Sequence, residues 1–573
     1  MIITSVMLCV VFDTFSQGWQ KAVLTEELTI KVENVYAPAG FNSEKQAMDQ
    51  MTGFPVAVTG NASFKNMRNL TLAEINGDQI QDIVFVADSK LYVWTYQGML
   101  WEKTIIGTGI YPPSVADINM DGFNEIVLVT GGLPANGRTY TFDKDGNELP
   151  GWPVNFSSHW MMCAPALTDV DNDSIIEIIV CERYTSTVGR VHILRIDGTS
   201  FSTNWPVSLD GIPAFTPSVG DVDNDGVKEI VAYSTKSRYI FELDGQPMTG
   251  FPLNTEPEQK YSYQSPVIAD LNSDDQYEVI GATHGDLPKF YVMDNSGNDY
   301  TGWPITVPDS NWTYSTPTVV KINGEYRILM SRPIGSEVDD MLYCWDAEGN
   351  MQPGFPVEKS GGLEGYISVA DINNDNDFEL VFGANMLDSL GYGFINAYNI
   401  SDGTPVNGFP IRPRGWTFMN GVCIGDVNGD AAIDLVSLTY TNSFGANTDT
   451  VYINVYETNS PYTTEKVLWG TYKGTNDRSG YVSNGVSNVE EMRDIDIMVY
   501  PNPCSSILNI ELPSDAGAEN SFAAIYDITG RHLFSIGLSS KITRIDVSGF
   551  EKGMYIFEIN YSEKSRIKKL LVK

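Results

Sequence analysis

The sequence predicts an all-β chain built as an eight-bladed (alternatively seven-bladed) calcium-binding β-propeller, followed by a small β-sandwich. Three observations carry the propeller. An acidic nonapeptide recurs along the chain, a Gly-aromatic-Pro turn recurs in phase with it, and both repeat at about 50 residues. Self-similarity at that period marks units that bury their apolar faces only against their neighbours.

The nonapeptide reads acid, apolar, Asn or Asp, any residue, Asp, then an acid at position nine and β-branched residues after it. Its copies are EINGDQIQD at 74–82, DINMDGFNE at 117–125, DVDNDSIIE at 169–177 and DVDNDGVKE at 221–229. They continue as DLNSDDQYE at 270–278, DINNDNDFE at 371–379 and DVNGDAAID at 426–434. A degenerate copy, KINGEYRIL at 321–329, lacks the acids at positions one and nine. With it, the first positions are spaced 43, 52, 52, 49, 51, 50 and 55 residues apart, which makes eight units.

The second marker is TGFPV at 52–56, PGWPV at 150–154, NWPV at 204–207, TGFPL at 249–253, TGWPI at 302–306, PGFPV at 353–357 and NGFPI at 407–411. Trp101 and Trp469 read as weaker copies. Each unit reads as four short strands, the pattern of a propeller blade. Proline suits the outermost strand, where fewer ladder donors are needed. The first marker precedes any complete unit, so it is expected to supply the outer strand that closes the ring with the last one.

Carboxylates and amides at positions one, three, five and nine of a tight loop converge, and hard oxygens in that number suit Ca²⁺. The predicted ligands are Glu74, Asn76, Asp78 and Asp82; Asp117, Asn119, Asp121 and Glu125; Asp169, Asp171, Asp173 and Glu177; and Asp221, Asp223, Asp225 and Glu229. The rest are Asp270, Asn272, Asp274 and Glu278; Asp371, Asn373, Asp375 and Glu379; and Asp426, Asn428, Asp430 and Asp434. Asp, Asn and Gly also build plain turns, but seven copies in register favour about seven structural calcium sites. In the degenerate unit, the ammonium of Lys321 is expected to substitute for the ion.

These loops resemble those of the FG-GAP/VCBS family of β-propellers over about residues 52–482. Trp469, Tyr472, Asn476, Arg478 and Gly480 resemble the closing segment of bacterial members. The resemblance implies structural calcium on the face opposite the ligand face. Residues 499–573 resemble the type A sorting domain of the type IX secretion system. The matching residues are Val499-Tyr-Pro-Asn-Pro503, Leu508-Asn-Ile510, Ile525-Tyr-Asp-Ile-Thr-Gly-Arg531, Ile545-Asp-Val-Ser548 and Gly553-Met-Tyr-Ile556, with a basic end from Lys564 to Lys573. This resemblance implies a small β-sandwich, the type IX machinery as partner, and a product secreted or attached to the outer surface of a Gram-negative Bacteroidota-type cell.

The expected division is a signal peptide at 1–17, an unassigned lead-in at 18–51, the propeller at 52–482, a linker at 483–498 and the sorting domain at 499–573. Residues 2–12 are mostly apolar but too few to span a bilayer, and no other segment reaches 18 apolar residues, so no membrane span is expected. Of 573 residues, 36 are Lys or Arg and 73 Asp or Glu, for a net charge of −37. That field repels nucleic-acid phosphates. The seven intact loops hold 23 of the acids at ligand positions, whereas residues 493–573 are neutral. Much of the excess is therefore a set of cation sites. Four histidines without HExxH spacing and six cysteines without CxxC offer little to zinc or redox chemistry. Cys163 and Cys181 flank one loop and are read either as a disulfide or as thiols. Cys344, Cys423 and Cys504 are read as single buried thiols.

The connections between units are rich in aromatics: Tyr111, Trp160, Phe215, Tyr261, Tyr263, Trp312, Tyr314, Tyr366, Trp416 and Phe418. They either stack on a sugar or anchor a protein, or they plug the funnel and pack between blades. Trp160, Tyr261, Trp312, Tyr314 and Trp416 are the candidate ligand residues. No catalytic constellation is visible. The expected function is a surface binding module for adhesion or for glycan or protein recognition. The alternatives are a rhamnogalacturonan-lyase-like propeller enzyme and a structural surface-layer or accessory subunit.

Overall fold

The computed structural model describes residues 18–482 except 25–29, 38–47, 62–67, 132–136, 157–159, 162, 214–215, 255–258, 261–263, 286, 308–315, 333–339, 360–364 and 442–448. It also describes 498–572 except 501–503, 505, 512–521, 528–530, 539–541, 551 and 562–563. The predicted signal peptide lies outside the described residues. The chain divides into two compact units, 1–490 and 491–573.

Every described regular element is a strand. The fourth repeat unit shows the pattern. Ser218–Gly220, Glu229–Tyr233, Ser237–Phe241 and Leu253–Asn254 form an antiparallel meander in that order. The acidic loop joins its first two strands, and the aromatic-Pro turn precedes its last. Glu229–Tyr233 is buried throughout, because a blade packs against a neighbour on each face. Its apolar residues therefore run on without alternating.

Each of the eight repeat units centres its own sheet, and the sheets build a β-propeller. Val56–Gly60 pairs with Asp449–Pro461 as the outer strand of the last sheet, as the place of the first marker predicts. The ring is thus closed by strands almost 400 residues apart in sequence. The lead-in carries a hairpin, Trp19–Leu24 with Ile30–Val35, which pairs with Met386–Leu387 of the seventh unit.

The markers tie neighbours together at the rim. The indole Nε1 of Trp101, Trp152, Trp205 and Trp303 donates to the carbonyls of Lys144, Ile196, Leu243 and Ala347, each in the next unit, at 2.7–2.9 Å. Gly302 has φ +86°, and a Cβ there would lie 1.8 Å from the Glu348 carbonyl of the next unit. Its marker glycine is therefore required for this approach.

A second ring of bonds joins the innermost strands. In six units a hydroxyl or thiol three residues before the first position of the nonapeptide donates to a carbonyl of the next unit. The pairs are Thr71 to Pro113, Ser114 to Pro165, Ser218 to Pro266, Thr318 to Ile367, Ser368 to Val422 and Cys423 to Leu70.

Residues 466–482 run along the inner strands of successive units. The amides of Asp371, Ile424, Val115, Leu167, Val219 and Ile268 donate to the carbonyls of Lys466, Gly470, Asn476, Asp477, Ser479 and Gly480. Trp469 is fully buried on an inner strand paired with Val369. It is thus no outer-edge marker, which corrects its expected place. Arg478 is fully buried. Its Nη1 donates to Thr471 Oγ1 and to the carbonyls of Tyr472 and Thr475, and its Nη2 reaches Thr71 Oγ1 at 2.6 Å.

The second compact unit has two sheets. One orders Met498–Tyr500, Ile507–Glu511 and Ile542–Asp546. The other orders His532–Gly537, Phe522–Asp527, Gly553–Tyr561 and Lys564–Val572. Leu508, Ile510, Ile525, Ile545, Phe557 and Ile559 share one core between them.

Candidate metal centre

Each intact nonapeptide folds the same way. Positions four and six both have positive φ in all seven, from Gly77 and Gln79 in the first to Gly429 and Ala431 in the last. Two left-handed residues around position five curl the backbone so that its amides face inward. In the loops at 117, 221, 270 and 371 the first-position carboxylate then accepts from positions five and six, as Asp221 does from the amides of Asp225 at 3.0 Å and Gly226 at 2.9 Å. Position five accepts from position seven, as Asp225 does from Val227 at 2.8 Å. These turns bring the side chains of positions one, three and five together.

Position nine starts the second strand and is the buried member. One of its oxygens accepts the amide of position two in all seven loops, at 2.7–3.0 Å: Asp82, Glu125, Glu177, Glu229, Glu278, Glu379 and Asp434. The other oxygen faces the loop. In the loops at 74, 117 and 371, the amide nitrogen of the position-three Asn76, Asn119 or Asn373 donates to it. Where position three is Asp, the oxygen has no partner: Glu177 Oε1 and Glu229 Oε1 are buried and unpaired. Asp434 Oδ1, Asp169 Oδ1 and Asp223 Oδ1 are too.

Burial outweighs these amide bonds in setting the acidity of position nine. It raises Asp82, Glu125, Glu177 and Glu278 to about 7, and Glu229, Glu379 and Asp434 to about 8. The neighbouring loop carboxylates push the same way. A cation between them would satisfy the unpaired oxygens and reverse that push. Ligand oxygens of Asp169, Asp171 and Glu177 lie within 4.8 Å of one another, and so do those of Asp221, Asp223 and Asp225. The donors are all oxygen, which suits a hard divalent cation.

The sixth unit differs. Its strands Thr318–Ile322 and Glu325–Arg332 are joined by a two-residue turn, Asn323-Gly324, with Ile322 opposite Glu325. The nine-residue loop is absent, and Lys321 lies on a strand with its ammonium 4.8 Å from the Tyr326 ring centre. Lys321 thus has no loop in which to replace an ion, contrary to expectation. Asn-Gly at this spacing is a hairpin signal, and that signal was present in the sequence.

The candidate ligand aromatics separate. Trp416 is fully buried in the core, which corrects its reading as a ligand residue. Tyr111, Tyr366 and Phe418 are buried in the same core. Trp160 is half-buried and pairs with Arg183, and a Cβ on Gly131 would meet its ring at 2.1 Å. Tyr261, Trp312, Tyr314, Phe215 and Tyr263 lie outside the described residues. Cys163 and Cys181 are free thiols, with the Cys181 amide donating to Cys163 Sγ at 3.0 Å. Cys344, Cys423 and Cys504 are buried thiols outside any disulfide.

Comparison with known proteins yields two family matches. Residues 498–573 match the secretion system C-terminal sorting domain, and residues 169–232 match an FG-GAP-like repeat. No curated protein matches the chain. Similar solved structures include the V. cholerae biofilm matrix protein Bap1, at 14% identity and TM-score 0.49 over 72% of this chain and 91% of that one. Others are the Pseudomonas aeruginosa PilY1 C-terminal domain (11%, 0.35, 65% and 92%) and the Dos1 propeller (10%, 0.37, 69% and 94%).

Proposed function

Because the chain joins an FG-GAP-like repeat to a type IX secretion sorting domain that directs it to the cell surface or the extracellular space, we propose that it is a calcium-stabilised, eight-bladed binding module for adhesion or for glycan or protein recognition. The cell is of the Gram-negative Bacteroidota type, and the sorting domain engages the type IX machinery. Calcium is held by the residues at positions one, three, five and nine of the intact loops. The observation that carries this reading is the set of position-nine carboxylates. Each spends one oxygen on the position-two amide and turns the other toward the loop, unpaired in Glu177, Glu229 and Asp434. Calcium there joins the first two strands of a blade, a structural rather than catalytic role. A ligand would be taken on the face away from the loops, with Trp160, Tyr261, Trp312 and Tyr314 as its aromatics.

The test is a glycan-array and surface-protein screen with the secreted protein, in calcium and in EDTA. Binding that needs calcium and is lost in Trp312→Ala supports the reading. Unsaturated products released from pectin would replace it with a lyase.

A further inference from the structure

We propose that the ammonium of Lys466 is the built-in cation of the acidic loop at 371–379, in the seventh unit, so that this loop closes without calcium while the other six intact loops take the ion. The inference rests on the calcium reading above and sharpens it.

Lys466 Nζ lies against Asp371 Oδ2, the first-position carboxylate, and donates to Asn374 Oδ1 at 2.7 Å. The Asp371 side chain is only 3% exposed. Its position is not a matter of one long side chain finding an acid. The Asp371 amide donates to the Lys466 carbonyl at 2.8 Å, and the next residues, Val467–Trp469, pair with the inner strand of the same unit. Strand register therefore delivers the lysine to the loop from 95 residues away. Ser460 Oγ adds a bond to the Asp371 carbonyl at 2.5 Å. Among the described residues, no Lys or Arg is paired with the first-position carboxylate of Asp117, Asp169, Asp221, Asp270 or Asp426; Lys228 Nζ reaches Asp169 only at its backbone carbonyl, at 2.6 Å.

The chemistry follows from charge and cost. An ammonium donates to the oxygens that would otherwise ligate calcium. An incoming ion must first displace it, leaving a lysine whose backbone is held in place beside a new divalent charge. That penalty is absent from the loops at 117, 169, 221, 270 and 426, so the site at 371–379 binds calcium far more weakly.

The experiment counts tightly bound calcium on the full-length protein by native mass spectrometry and equilibrium dialysis with calcium alone. Six ions in the wild type and seven in Lys466→Met are expected. Seven in the wild type, or an unchanged count in the variant, overturns this inference and leaves the calcium reading standing. No ion in either protein overturns the calcium reading and takes this inference with it. Where Lys466→Met does not fold, Asp371→Asn and Asp221→Asn are compared. Only the second is expected to lower the count, and an equal loss in both overturns the inference.

Discussion

The Cys423 thiol donates to the Leu70 carbonyl at 3.2 Å across 353 residues of sequence. It links the innermost strand of the last unit to the residue that precedes that of the first, beside bonds from Asn69 to Asn420 and Val436. Five hydroxyls perform the same task elsewhere in the ring, so the thiol stands where Ser or Thr would serve. Tyr366 Oη lies 3.0 Å from the same sulfur.

Cys423→Ala is expected to cost about 2 kcal/mol through a lost bond and a small cavity. Cys423→Ser is expected to keep most of the stability. The readout is the melting temperature at one fixed scan rate, because a chain of this size often unfolds irreversibly. Equal losses in both variants would remove the hydrogen bond as the cause.

Arg478→Ala is expected to be more damaging, at more than about 3 kcal/mol, because it strips a buried cation from several acceptors at once. Four of its bonds hold residues 471–475 and the first unit together. Limited proteolysis should then cut residues 466–482 in the variant and spare them in the wild type. An uncut segment would argue that its other backbone bonds suffice.

The ion-free protein should be more stable in mild acid than in base. Position-nine acids titrate at about 7 to 8 when folded, against about 4 in an unfolded chain. A raised acid favours the folded state while it is protonated. That contribution is present below about pH 4 and is lost as pH rises through 7 to 8. In EDTA, the melting temperature is expected to fall between pH 6 and pH 8.5. Calcium should abolish most of that slope, and a slope of the same size with calcium present would count against the metal sites.

Removing Val499–Lys573 is expected to leave the protein inside the cell, as judged by surface labelling and by assay of the medium. Normal surface display of the truncated chain would argue against a sorting role for this domain.

Much of the fold was legible because each unit must solve the same packing problem. The acids recur at positions one, three, five and nine because the loop geometry recurs. The aromatic-Pro markers recur because each rim contact recurs. The Ser/Thr/Cys ring was equally regular, three residues before each loop in six units, but those residues are common enough to pass as ordinary strand residues. Residues 132–136 and the other undescribed segments aside, the misreadings fall where a unit departs from the repeat. At 321–329 an Asn-Gly turn outweighs the residual resemblance to an acidic loop. At Trp469 an aromatic residue imitates a marker while serving an inner strand. At Trp416 an aromatic in a connection is buried by neighbours that no local pattern reveals.

The excess of acids, the count of repeat units and the identity of the C-terminal domain were determined by the sequence alone, because they depend on local spacing and composition. The tertiary structure alone decided which charges meet. Lys466 and Asp371 are 95 residues apart, and only the return of residues 466–482 along the inner strands brings one to the other. Periodicity records what every unit does, whereas a contact made once leaves no period to read.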